Sequence, residues 1–167
     1  HRRVQELLDR YAITTRPDAL ARDLTLPERT MLVVGATLHD DRVGDRVFVG
    51  PSGGEYGIRG WFKALDLATG KLAWEARNLG PDSAVLAKPG IFKPFYDHGT
   101  ELAEKSWAAE TWKQGGAPVW GWLSYDPQLN LVYYGSGNPY TWNPKQRPGD
   151  NKWSMTIWAR DADSGMT

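Results

Sequence analysis

The chain has 167 residues, 41% of them hydrophobic and nine of them Trp, which is the material of a packed globular fold and not of a disordered segment. Twenty basic residues offset twenty acidic ones, leaving no electrostatic footprint for nucleic acid or an anionic membrane surface, so neither is expected as a partner. The absence of cysteine removes disulfides, thiolate metal sites and cysteine nucleophiles within this chain, and no apolar run approaches the ~20 residues that cross a bilayer.

Residues 1 to 30 stand apart from the rest, with six Arg but no Lys, Gly or Trp, whereas the first Trp is Trp61 and the first Lys is Lys63. Val4, Leu7, Leu8 and Tyr11 fall at helical spacing and predict a short amphipathic helix over about residues 2 to 12. No chemistry is apparent in it, nor the charged-then-apolar order of a signal peptide. The shift in composition marks a boundary, and residues 1 to 36 form an unassigned leader.

From residue 45 onward the texture is β. "DRVFVG", "GWFKALDL", "GKLAWEA", "WGWLSYD", "NLVYYGSG" and "SMTIWARD" are short, aromatic and β-branched, and they are bounded by Gly, Pro, Asn or Asp. The exception is the long connection from 77 to 119, where "GTELAEKSWAAETW" predicts one or two helical turns that Gly115 and Gly116 then stop. A repeat runs through this part: "ALDLATGKLAW" (64 to 74) and "ARDADSGMT" (159 to 167) share the pattern A-x-D-x-x-[TS]-G. Its mechanism is local, because the Asp side chain accepts backbone N–H groups across the turn while Gly70 or Gly165 supplies a left-handed residue. Trp74 is expected to dock on the next strand. Two four-stranded units follow, one near 32 to 76 and one near 119 to 167, each with this hairpin, which is the pattern of blades in a β-propeller. Two blades do not close a ring, and the second copy of the repeat reaches Thr167 before its own Trp, so a fragment is expected.

The loop "PSGGEYGIRG" (51 to 60) sets Glu55 among four glycines directly after a strand. "GPSGG" also satisfies the serine-nucleophile pattern G-x-S-x-G, but the glycine-broken, strand-like stretch behind it is not the helix that such an elbow requires. Neither phosphate-loop pattern occurs, and Glu55 would repel the anion such a loop holds. A carboxylate there suits a hard cation such as Ca²⁺, with Asn138 in "YYGSGNPY" as a second oxygen donor from the next blade. Taken singly, each has a plainer role, Glu55 as a solvated loop acid and Asn138 as a turn former before Pro139. Trp120 and Trp122 flank Gly121 and are expected on opposite sides of their segment, one in the core and the other a stacking platform facing a cavity. The loop "NPYTWNPKQRPGDNKW" (138 to 153) is too rich in Pro, Asn and Gly for regular structure and is given a shaping role over a site. His1, His39 and His98 are scattered without metal-ligand spacing.

Together "SGGEYGIRGW", "ALDLATGKLAW", "GGAPVWGWLSYDP", "LVYYGSGNP" and "WNPKQRPGDNKWSMTIWARDADSGM" resemble the quinoprotein alcohol dehydrogenases of the methanol/ethanol type, which carry pyrroloquinoline quinone (PQQ). The resemblance implies an all-β fold in which residues 37 to 167 are part of an eight-bladed β-propeller, about two blades of it. It further implies oxidation of small primary alcohols to aldehydes in the periplasm, with electrons passing to a cytochrome c. Ser52, Gly53 and Gly54 would then belong to the quinone pocket. Glu55 would contact both PQQ and the bound ion, Ca²⁺ or a lanthanide. Asn138 would be the amide ligand of that ion, and Trp120 the indole stacked on the quinone.

Some positions depart from the family pattern. Pro118 stands where methanol-type members often carry a threonine that hydrogen-bonds the cofactor, and proline has no such donor. Upstream, "ATLHDDRVGD" (36 to 45) does not match the usual entry to the first strand, and Thr37 is not assigned to the pocket. The family's general base, an aspartate, has no counterpart here, and Asp126 and Asp150 read as turn residues, so no catalytic residue is assigned. The fragment alone is expected to be inactive. A non-catalytic propeller scaffold built from the same repeat is the rival reading, distinguished by the joint presence of Glu55, Asn138 and Trp120.

Overall fold

The computed structural model describes residues 46–87 and 101–167. The helix expected over residues 2 to 12, Thr37 and all three histidines lie outside the described residues.

Two antiparallel sheets of three strands each carry the fold. The first runs β1 (Arg46–Val49), β2 (Trp61–Asp66), β3 (Leu72–Arg77), and the second β4 (Leu123–Asp126), β5 (Leu131–Gly135), β6 (Ile157–Asp161). Among the described residues each unit therefore shows three strands where four were expected. Strand alternation decides what each sheet buries. With Phe48 paired to Ala64, Phe62 to Ala76 and Ala64 to Trp74, these five side chains share one face, and all five are buried. In the second sheet Val132 faces Arg160 and Tyr134 faces Trp158, and these four form the matching buried face.

The two faces meet through aromatic rings. Phe62 packs on Phe48 at 5.6 Å between centroids and on Tyr134 of the second sheet at 4.2 Å, and Tyr134 stacks on Trp158 at 6.1 Å. Each buried aromatic is worth ~1.5–3 kcal/mol in area removed from water, with a further ~0.5–1.5 kcal/mol for a well-placed ring pair.

Both copies of the repeated turn form alike. Asp66 Oδ1 accepts from Thr69 N at 2.8 Å and from its hydroxyl at 2.7 Å, and Asp161 Oδ1 accepts from Ser164 N at 2.8 Å and from its hydroxyl at 2.7 Å. Gly70 and Gly165 take φ of 68° and 72°, the left-handed values the turn requires. Trp74 docks on the second sheet's turn, not on a strand, with its indole N–H donating to Ala162 O.

Between the sheets, α1 (Asp82–Val85) and α2 (Leu102–Lys105) are single turns, and a 3₁₀ stretch over Ala108–Gln114 ends at Gly115 and Gly116, with φ of 118° and 104°. The helical turns expected before these glycines are present. Trp107 and Trp112 anchor this connection in a second small cluster with Leu79 and Ala117. The Arg59 guanidinium lies 4.6 Å from the Trp112 ring centre.

Candidate cofactor site between the two sheets

Three backbone segments converge on the gap between the sheets. The first is the loop after β1, where Gly53 (φ 89°) and Gly57 (φ 77°) flank one 3₁₀ turn, Gly54–Tyr56. Such a turn, and no helix, follows Ser52, so the serine-elbow geometry is absent. Glu55 sits in the middle of the turn with its side chain exposed, in no hydrogen bond or ion pair with the described residues. Ser52 is exposed as well.

The second segment, 116–119, threads between the other two. Gly116 bridges to Arg59 on one side and to Pro139 on the other, Val119 N donates to Pro51 O at 2.9 Å, and Gly137 N donates to Pro118 O at 2.8 Å. The third segment leaves β5 through Gly137 and Asn138. Pro118 is the wedge that packs these segments together: a Cβ on Gly54 would come within 2.7 Å of its Cδ, and one on Gly137 within 2.9 Å. The missing side chains at Gly54 and Gly137 thus admit the proline ring first. Where a threonine could donate to a ligand, this chain places an apolar ring that holds the junction closed.

Around this junction stand the residues expected from the sequence. Asn138 is half-buried and its Nδ2 donates to Pro139 O at 3.3 Å, so Oδ1 is left as an acceptor without a partner among the described residues. Trp120 is next to Gly137, where a Cβ would lie 3.3 Å from Nε1, and its indole is 69% exposed. The expectation that one of Trp120 and Trp122 is core is corrected, since Trp122 is 95% exposed. Gly121 is a bend ahead of β4, so the alternation of a strand does not extend to this pair. Asp126 is a turn residue as expected, accepting from Gln128 N and Leu129 N, whereas Asp150 pairs with Lys152 at 3.6 Å.

Two further residues face the junction. Tyr140 and Trp142 line a groove of ≈ 200 Å³ with Glu55. Sequence reasoning assigned their loop a general shaping role and passed over these side chains. The available signal was two aromatic residues, two apart, in a stretch (138 to 148) otherwise made of Pro, Asn and polar residues. The loop is stitched by Arg147, which donates to Thr141 O and Asn151 Oδ1, and by Trp107, whose indole donates to Lys152 O at 2.7 Å.

The donor set suits a hard cation beside a flat ring: an unpaired carboxylate, a free amide oxygen and an exposed indole. It is incomplete, because no group of three or more His, Asp or Glu residues that could hold a metal occurs among the described residues, and Ca²⁺ takes about 6–8 oxygens. Glu55 and Asn138 alone would leave most positions around such an ion to other donors.

Residues 42–167 match the family described as "PQQ: Glucose/ethanol/alcohol dehydrogenase, beta-propeller domain". The chain belongs to this family. A dehydrogenase of Paracoccus denitrificans designated XoxF is 57% identical over 128 residues, and the lanthanide-dependent methanol dehydrogenase of Methylorubrum extorquens is 53% identical over 128 residues. Each alignment covers 74% of this chain but 21% of the relative, so the chain spans about a fifth of the length of these proteins. A europium-containing methanol dehydrogenase superposes with a TM-score of 0.69 at 52% identity, over 73% of this chain and 22% of that one. The expected fold class is met: the two sheets are part of a PQQ-type β-propeller.

Proposed function

We propose that the chain is part of a PQQ- and metal-dependent alcohol dehydrogenase that oxidises small primary alcohols of the methanol/ethanol type to aldehydes and passes electrons to a cytochrome c in the periplasm. The names of the relatives support the chemistry. The observation that carries it to this chain is the convergence, around Pro118, of the Glu55 turn, the Gly137–Asn138 backbone and the Trp120 indole.

When bound, PQQ accepts the electrons of the alcohol and its ion, Ca²⁺ or a lanthanide, polarises the quinone carbonyl. The protein residues bind and orient. Glu55 supplies negative charge to the ion, Asn138 Oδ1 a neutral oxygen, Trp120 a flat apolar platform, and Ser52, Gly53 and Gly54 the edge of the pocket. Tyr140 and Trp142, beside Glu55, keep bulk water from the alcohol. The general base is assigned to no residue of this chain, since Asp126 is occupied in a turn and Asp150 faces Lys152, and the chain alone is inactive.

The test uses the longer polypeptide that carries this chain. Terbium or europium luminescence sensitised by the nearby indoles reports the ion, and difference absorbance reports PQQ. Glu55→Gln should lose both signals together with alcohol oxidation. Undiminished uptake of ion and quinone in that variant overturns the proposal, and failure of the unmodified protein to take up either favours a non-catalytic propeller scaffold.

A further inference from the structure

A row of buried hydrogen bonds links the second sheet's turn to the segment that carries Trp120. Arg160 is fully buried, and its Nη1 donates to Gly165 O at 2.7 Å and to Val85 O at 2.8 Å. Its Nε lies 2.8 Å from the Tyr134 hydroxyl, which lies 2.9 Å from Asn78 Oδ1. Asn78, also fully buried, donates from Nδ2 to Ala117 O at 2.8 Å.

The direction of these bonds is set by the first donor. A guanidinium has donors only, so the Tyr134 oxygen accepts from Arg160. Its single proton is then directed at Asn78, where it needs an acceptor. That turns Oδ1 of the amide toward Tyr134 and leaves Nδ2 for Ala117 O. Burial raises the Tyr134 pKa to about 12, which keeps this proton in place at ordinary pH. No carboxylate among the described residues pairs with Arg160, so the cation is held by oxygens and by the Trp158 ring, whose centre is 4.3 Å away.

Ala117 is where such a fixed donor matters. Its φ of 53° lies in the left-handed region, which costs an alanine ~1–2 kcal/mol. Its carbonyl is pressed so closely on Gly60 that a Cβ there would come within 1.7 Å of the oxygen. Its N–H donates to Asn138 O at 2.8 Å. One strained residue is thus held at both ends, by a proposed ion ligand on one side and by Asn78 on the other.

We propose that Asn78, oriented by Tyr134 and Arg160, is a positioning residue that locks Ala117 in its left-handed conformation and thereby sets Pro118 and Trp120 against Gly54 and Gly137. The inference deepens the proposed function and rests on it only for the consequence, the placing of the indole where a flat cofactor reads it.

The full chain labelled with 5-fluorotryptophan provides the test, with the Trp120 ¹⁹F resonance identified by its loss in Trp120→Phe. Asn78→Asp preserves size and the acceptor for Tyr134 but places an oxygen against Ala117 O. It should displace and broaden the Trp120 resonance while leaving in place that of Trp74, which packs on Phe48 and Phe62 and donates to Ala162 O. Tyr134→Phe keeps the ring packed on Phe62 and frees the amide to turn over, and should split or broaden the same resonance. Hydrogen exchange of the Asn78 side-chain amide, measured on the unmodified protein, should be far slower than that of exposed Asn143. A Trp120 resonance that stays put in either folded variant, or an Asn78 amide that exchanges as fast as Asn143, overturns the proposal. No cofactor enters these measurements, so that result leaves the proposed function standing, and failure of the unmodified protein to bind PQQ leaves the positioning role standing.

Discussion

The indole N–H of Trp74 donates at 3.0 Å to the carbonyl oxygen of Ala162, a residue 88 positions along the chain. The outer strand of the first sheet is thereby seated on the turn of the second. The ring lies over Gly165, where a Cβ would come 2.5 Å from Cε3, whereas nothing lies within 4 Å of a Cβ on Gly70, the equivalent glycine of the first turn. Two turns alike in sequence and conformation thus occupy unlike surroundings.

Gly70→Ala and Gly165→Ala therefore separate conformational strain from packing. Both place alanine at positive φ, at ~1–2 kcal/mol. Gly165→Ala alone also drives a methyl into the Trp74 ring and should lose a further ~1–3 kcal/mol by overpacking. Urea unfolding of the two variants checks this, and equal losses would contradict the docking of Trp74.

Asp66 is held below the usual carboxylate range, chiefly by the Thr69 hydroxyl and backbone N–H, with a smaller contribution from Arg46. A depressed folded pKa gives stability that is present above the unfolded value of about 3.9 and is lost as pH falls through the folded value. Asp66→Asn keeps an acceptor but cannot titrate. The urea midpoint of the unmodified chain should fall toward that of the variant on acidification below about pH 4, and parallel curves would remove Asp66 from the acid response.

Tyr134 behaves oppositely at the alkaline end. Its folded pKa of about 12 exceeds the unfolded value of about 10, so between these the unfolded chain releases the proton and the folded chain keeps it. Stability from this group is complete below about pH 10 and declines above it. Tyr134→Phe should show a flatter loss of melting temperature from pH 9.5 to 11 than the unmodified chain, scaled to about 1.4 kcal/mol per pH unit at most.

Gly137→Ala tests the wedge. The added methyl would meet Pro118 Cδ at 2.9 Å and Trp120 Nε1 at 3.3 Å. A cost of ~1–3 kcal/mol is expected, with a shift in Trp120 accessibility to acrylamide. Gly135→Ala, at the end of β5 with open space around its Cβ, is the control and should leave Trp120 quenching unchanged.

The sequence by itself determined what is local. The Asp-to-Gly spacing of the turns specifies a side chain that accepts nearby N–H groups and a residue free to take positive φ, and both copies form wherever the chain runs next. The alternation of "WFKALD" and "LAWEAR" specifies which side chains share a face. The family motifs likewise marked Glu55, Asn138 and Trp120. Tertiary structure alone decided which of these positions meet. Ala117 and Asn78 are 39 positions apart, Tyr134 and Asn78 are 56 apart, and the Pro118 ring lies between glycines from two loops. Neither Trp122 nor Tyr140 could be placed by periodicity, because both lie in backbone without a repeating conformation. Such contacts form only when separate segments share buried space, and there the close approach permitted by a glycine, together with the cost of leaving a buried polar group unpaired, selects the arrangement.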